Sequence, residues 1–130
     1  MNPRHHARMA AVQYLFQQEY RRGHPESLWP GFWELDRGTE GLSEEMQAYA
    51  EKLAGGVEAH LPDLDERLRN YAEHWDLQRM GKVDRNILRL ALYEMFYCPD
   101  IPPVVSVNEG VDLAKALSGR TSGRFVNGIL

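Results

Sequence analysis

The sequence predicts an all-α protein, a bundle of about six to seven helices folded either as one domain or as two small helical subdomains. Apolar residues recur at helical spacing along most of the chain. No useful stretch alternates with the period of two that marks a half-buried strand. Proline and glycine separate the apolar segments into lengths typical of single helices. At 130 residues, the length is that of one domain, residues 1–130.

The composition is ordinary for a globular protein. It is 43% hydrophobic and 26% charged, which makes disorder unexpected. No apolar run approaches the length of a membrane span, and the start of the chain lacks the apolar stretch of a signal peptide. The single cysteine, Cys98, fits a reducing compartment. We therefore expect a cytoplasmic protein without a membrane partner.

The first half of the chain contains three predicted helices. Pro3 suits a first helical turn, and no further breaker occurs until Gly23. A helix over 3–22 is therefore expected, and its apolar face consists of Ala7, Ala10, Ala11, Tyr14 and Leu15. A short helix is predicted around 27–35, where Trp29 and Trp33 pack a long connection onto the domain. Ser43 then caps a helix to about residue 60, with Glu44 and Glu45 in its first turn.

The second half contains four more. Pro62 opens a helix to about His74, and Gly81 precedes the most hydrophobic helix, 82–97, which is expected at the centre of the core. Ser106 and Glu109 have the spacing of a capping box for the next helix, which ends at 118–119. The last helix is expected to start near Thr121 or Ser122. It stops at residue 130 without a polar tail, so one possibility is that the natural chain is longer.

Positive charge is concentrated at the two ends of the chain. Residues 1–22 carry four arginines against one glutamate, and residues 118–130 carry two arginines and no acid. The net charge of −4 therefore reflects an acidic middle. If the ends meet in the fold, they form one positive patch of the kind that binds polyanions. Scattered surface arginines are the equally weighted alternative.

The sequence contains no recognisable enzyme or cofactor signature. Its five histidines lack partners at metal-ligand spacing. Phosphate-binding loops and the nucleophile and zinc motifs of hydrolases are absent. Cys98 follows a helix without an obvious base and is expected to be a buried structural residue. We predict no catalytic residue, no metal and no cofactor.

Several strings, taken together, resemble the NusB family of RNA-binding antitermination factors. They are the Arg4 to Phe16 stretch, the helix GKVDRNILRLALYEMFY, the segment from Asp100 to Gly119, and RFVNGIL from Arg124 onward. A weaker match lies at LAGGV, residues 53–57. Each string is weak alone, but their order and spacing are specific, and the resemblance covers nearly the whole chain except 23–42.

The resemblance implies an RNA-binding surface built from both ends of the chain. Arg4 and Arg8 match arginines that contact phosphates, whereas His5 and His6 stand where arginine is usual. Phe16 matches a stacking tyrosine. The remaining implied RNA contacts are Thr121, Ser122, Arg124 and the stacking residue Phe125, with Asp84 as a less specific acidic residue of the same RNA or partner surface. Core packing is the alternative for Phe16 and Phe125. For Ser122 a plain N-cap is the expected role, and a phosphate contact would be an addition to it.

The resemblance also implies partners. The chain is expected to bind single-stranded boxA-type RNA together with NusE, a ribosomal protein, within the transcription elongation complex, and so to support ribosomal RNA transcription. Few cations and two aromatic rings give weak binding alone, so a co-binding partner is also expected on physical grounds. Family members occur as monomers and as dimers, and a homodimer stays open.

Two other functions compete with this one. RNA cytosine methyltransferases can carry a NusB-like N-terminal domain, and this chain could be such a domain cut from a longer enzyme. A helical protein–protein adaptor without an RNA role is the second rival, and the acidic body and Trp29–Trp33 would suit it. RNA binding that depends on Arg4 and Arg8 would argue against the adaptor.

Overall fold

Helix is the only regular secondary structure in the residues that the computed structural model describes, which are 3–19, 42–72 and 76–130. The all-α prediction is confirmed. The predicted helix at 27–35, and with it Trp29 and Trp33, lies outside the described residues. The helices are α1 (Pro3–Glu19), α2 (Glu44–Ala59), α3 (Leu61–Tyr71), α4 (Lys82–Tyr97), α5 (Pro103–Ser118) and α6 (Arg120–Ile129), with a 3₁₀ turn at Leu77–Arg79. None of these helices combines the length and apolar character that crossing a membrane requires.

The chain divides into two units, Met1–Gly55 and Gly56–Leu130. In the first unit, α1 buries the face that its spacing predicts, and all five predicted residues are at most 5% exposed. The start of α2 is capped as predicted, because the backbone N–H of Met46 donates to Oγ of Ser43 over 3.1 Å. Both features follow from signals within one or two helical turns.

Helix α4 forms the core of the second unit. Every residue from 86 to 94 is buried, so the helix is covered on all sides over more than two turns. This confirms the predicted central position. Cys98, which follows the helix, is 4% exposed, as expected for a structural cysteine.

A buried ion pair joins α4 to α3. Nε of Arg89 lies 2.7 Å from Oδ1 of Asp65, and Nη2 of Arg89 donates to Oδ2 over 2.9 Å. Nη1 of the same arginine donates to Oδ1 of Asn86 over 3.2 Å. The two charged side chains are only 10% and 15% exposed. A guanidinium fork on a carboxylate satisfies both groups in a geometry that a lysine could not reproduce.

A glycine lets α2 approach α4 closely. A Cβ added at Gly56 would overlap the ring of Tyr93, so a side chain at this position would push the two helices apart. The paired glycines 55 and 56 lower helix propensity, as the sequence indicated, yet α2 continues through them. Close packing against Tyr93 offsets that lower propensity.

One predicted helix start is wrong, and two other helix bounds differ slightly from the prediction. Helix α5 begins at Pro103, so Ser106 is its fourth residue and is 1% exposed rather than capping the helix. Proline is favoured in the first turn, and Pro103 starts the helix before the capping-box signal. Gly119 has φ +106°, a backbone conformation that ends α5. Helix α6 begins at the next residue, Arg120. Helix α3 ends at Tyr71 rather than near His74.

Replacing Arg89 with alanine should destabilise the protein strongly, because it leaves Asp65 buried without its partner. We expect the free energy of unfolding to fall by about 3 kcal/mol or more in urea titrations. The control is Arg79→Ala, which removes an arginine paired with Asp76 on the surface, with side chains 89% and 60% exposed. That variant should lose less than about 0.5 kcal/mol. Equal losses would show that the buried pair has no special role.

Candidate nucleic-acid interface

The predicted basic cluster at the start of α1 is divided by exposure. Arg4 is exposed and His6 is half-buried. His5 and Arg8 are only 8% and 2% exposed. A buried side chain cannot reach a phosphate directly, so Arg4 and His6 are the members of this cluster that a ligand in solvent meets first.

Tyr49, on α2, contacts both arginines of the cluster. Cζ of Arg4 lies 5.3 Å from the centroid of the Tyr49 ring, and Cζ of Arg8 lies 6.0 Å from it. Nη2 of Arg8 also donates to the Tyr49 hydroxyl over 3.5 Å. The negative face of an aromatic ring attracts a guanidinium within about 6 Å of its centroid. Tyr49 therefore orients Arg4 at the surface while Arg8 is held beneath.

Sequence reasoning missed Tyr49. Its spacing of four from Leu53 is that of an ordinary core residue, and Leu53 is fully buried. The contact that matters joins residues 41 positions apart, which no helical periodicity encodes.

The two predicted stacking residues, Phe16 and Phe125, are both half-buried. Part of each side chain is therefore accessible to solvent, as base stacking requires. Phe16 follows Arg8 by two turns of α1, about 12 Å along the helix. Phe16 and Phe125 belong to different units. That the two ends of the chain form one positive patch therefore stays a prediction.

Ser122 binds Asp84 instead of capping its helix. It is the third residue of α6, and its hydroxyl donates to Oδ2 of Asp84 over 3.2 Å. The expected N-cap role is therefore wrong, because Gly119 occupies the cap position. The hydrogen bond joins the first turn of α6 to the first turn of α4 and places Asp84 beside one of the predicted RNA contacts, Ser122.

Burial makes ionisation of Asp84 less favourable. It raises the pKa of this carboxyl above the ordinary value of 3.8, and the hydrogen bond from Ser122 lowers the pKa only in part. The second carboxylate oxygen, Oδ1, is buried and accepts no hydrogen bond from the described residues. An ionised Asp84 is thus less stable in the folded protein than in the unfolded chain.

Arg124 and Thr121, both exposed, complete the predicted set. Residues two apart on a helix point about 200° apart, so Arg124 faces away from the Ser122–Asp84 contact. It lines a groove between α5 and α6 instead. The structure therefore separates the predicted C-terminal contacts into two faces of α6. No group of side chains among the described residues could hold a metal ion.

The variant Asp84→Asn should remove a pH dependence from stability. A carboxyl with a raised folded-state pKa stabilises the fold fully below pH 3.8, and this contribution is lost as the pH rises through the folded-state value. The free energy of unfolding of the wild type, measured relative to the variant, should therefore fall over that window and then level off. Exposed Asp100→Asn is the control and should change little. A difference that grows with pH would contradict the assignment.

Comparison with known proteins matches this architecture to one family. The model of the NusB family matches residues 5–130. The transcription antitermination protein NusB of Pelotomaculum thermopropionicum is 43% identical over 127 residues, covering 98% of this chain and 85% of that protein. The structure of T. maritima NusB superposes on this chain with a TM-score of 0.81 at 38% sequence identity. The match covers 99% of this chain and 88% of that chain.

A third similar protein was solved as an assembly. The structure described as antitermination factors NusB and NusE in complex with dsRNA has a TM-score of 0.80 at 28% identity, and the match covers 99% of this chain and 93% of that chain. Sequence and fold therefore agree over nearly all of the chain. The chain belongs to the NusB family of non-enzymatic transcription antitermination factors.

Proposed function

We propose that this protein binds single-stranded boxA-type RNA together with the ribosomal protein NusE and supports transcription of ribosomal RNA in the cytoplasm, as part of the elongation complex. The observation that carries the proposal is that each unit contains an exposed arginine and a half-buried aromatic ring. These residues are Arg4 and Phe16 in the first unit, and Arg124 and Phe125 in the second. Single-stranded RNA is bound by cations along its backbone and by flat side chains beneath its bases.

The division of the basic cluster by exposure assigns different tasks to its members. Arg4, held by Tyr49, and His6 contact phosphates. Arg8 and His5 act from within, because they are buried and support the first turns of α1.

The small number of RNA contacts indicates that a protein partner binds the RNA as well. Each phosphate contact with single-stranded RNA contributes a salt slope of about −0.7, and each stacked base contributes about 1–3 kcal/mol. Two rings and a few cations give modest affinity. The similar structure that contains NusB, NusE and RNA supports NusE as the partner that adds the remaining contacts. The antitermination name of the relative from Pelotomaculum thermopropionicum favours this function over a methyltransferase domain.

The proposal is tested by fluorescence anisotropy of labelled boxA RNA, a scrambled single strand and a duplex of the same sequence. Each RNA is titrated with the protein at two salt concentrations, with and without NusE. We expect weak, salt-sensitive binding alone and tight boxA-selective binding with NusE. The duplex tests the alternative RNA form, since the similar assembly was solved with dsRNA. Equal affinity for all three RNAs, with no effect of NusE, would refute the proposal.

Phe125→Ala should weaken RNA binding about 5- to 100-fold, because removing one stacked ring costs about 1–3 kcal/mol. The fold should persist, since the ring is half-buried. The matched control is Phe96→Ala, which removes a ring that is 42% exposed on the C-terminal turn of α4 and is not part of the proposed surface. It should leave RNA affinity unchanged. A loss of several kcal/mol of stability in Phe125→Ala would instead assign Phe125 to the core.

A further inference from the structure

A polar groove lies between α5 and α6, apart from the Ser122–Asp84 contact. Its volume is about 450 Å³, within the range of small-molecule sites. Four lining residues follow the i, i+3, i+4, i+7 spacing of one face of α5, and the others lie on α6. The lining residues are Asn108, Val111, Asp112, Lys115, Gly123, Arg124 and Asn127.

The polar side chains of the groove are available to bind a ligand. Within the described residues, none of Lys115, Arg124, Asp112, Asn108 and Asn127 makes a side-chain hydrogen bond or ion pair, and all five are exposed. The groove therefore carries two cations, one carboxylate and two carboxamides, all able to bind a ligand. Val111 is the only large apolar residue in the lining. A groove that docks a protein segment would be more apolar, because the centres of protein interfaces are depleted in charge.

Gly123 shapes the floor of the groove. A Cβ added there would lie 2.6 Å from Cγ of Lys115, so the stem of Lys115 lies directly against the α6 backbone. This packing brings the Lys115 ammonium to the same groove as Arg124. The absence of a side chain at 123 is thus what leaves room for the cation and for a ligand.

We propose that this groove binds one nucleotide of the RNA, a proposal that rests on the RNA-binding function above. Lys115 and Arg124 contact the flanking phosphates, and Asn108 and Asn127 bind the base or ribose. The helical face from Asn108 to Lys115 spans about 10 Å, enough for one nucleotide. Asn127 lies in the same FVNG motif as Phe125 but was not among the predicted RNA contacts. In this proposal it contacts the base or the ribose.

Asp112 selects the base. An ionised carboxylate only accepts hydrogen bonds. Guanine presents two parallel donors, N1–H and the N2 amino group, which match the two carboxylate oxygens. The Watson–Crick edges of the other bases offer a single donor group each. The nucleotide in the groove is therefore guanosine, and Asp112 is the residue that determines this specificity.

The test compares a short single-stranded RNA with the same RNA in which inosine replaces every guanosine, which removes the N2 amino group. Affinities for the full chain are measured by anisotropy for wild type, Asp112→Asn, Lys115→Ala and Phe125→Ala. The controls are Glu66→Gln and Lys52→Ala, two exposed residues outside the groove. NusE affinity is measured for the same variants.

We expect the wild type to bind the guanosine RNA at least about fivefold more tightly than the inosine RNA, and Asp112→Asn to lose this discrimination. Lys115→Ala should weaken both RNAs and reduce the salt slope by about 0.7. If Phe125→Ala weakens binding while the two groove variants do not, the groove proposal is wrong and the RNA-binding function stands. If the wild type binds neither RNA, both fail. If the groove variants weaken only NusE binding, the groove docks protein.

Discussion

The Arg89–Asp65 ion pair is the interaction on which the second unit depends. It allows α4 to be buried on every side from 86 to 94 even though the helix carries an arginine at its centre. An unpaired charge at that position would cost several kcal/mol, comparable with much of the stability of a small domain. Because the middle of α4 is enclosed, only its ends reach the surface. Asp84 lies at the first end, where Ser122 attaches α6 to it. The proposed RNA contacts near Ser122 are therefore joined to the helix that forms the core of this unit.

The parts of the fold predicted correctly from sequence were those set by local chemistry. The Ser43 cap, the apolar face of α1 and the central position of α4 each depend on residues within a few turns of one another. The start of α5 was mispredicted because Pro103 determines the backbone more strongly than the nearby Ser106 hydroxyl. Helix α6 begins one residue before the predicted position, because Gly119 ends α5 and helix resumes directly after it. The burial of His5 and Arg8 and the role of Tyr49 arise from contacts between helices, which one sequence does not encode. Family resemblance proposed the site residues, but it did not predict which of them are exposed.

The proposed RNA-binding residues are distributed over both units rather than concentrated in one place. Each unit contributes one half-exposed ring and a small number of accessible cations, and α6 divides its predicted contacts between the Asp84 face and the polar groove. No single part provides enough phosphate or stacking contacts for tight binding. A factor built in this way gains affinity and selectivity when a partner protein binds the same RNA, which suits an adaptor that should not bind cellular RNA indiscriminately. The acidic middle of the chain, with a net charge of −4 overall, further limits non-specific binding.

Hydrogen exchange of the full chain, free and bound to boxA RNA in the presence of NusE, tests most directly whether RNA contacts the first turns of α1 and α6. We predict that the amides of 86–94, in the buried middle of α4, exchange slowest in both states. RNA should slow exchange in the first turns of α1 and α6 relative to the protein with NusE alone. RNA-dependent protection confined to the exposed Tyr71 and Phe96 region, with none at those two helix starts, would contradict it.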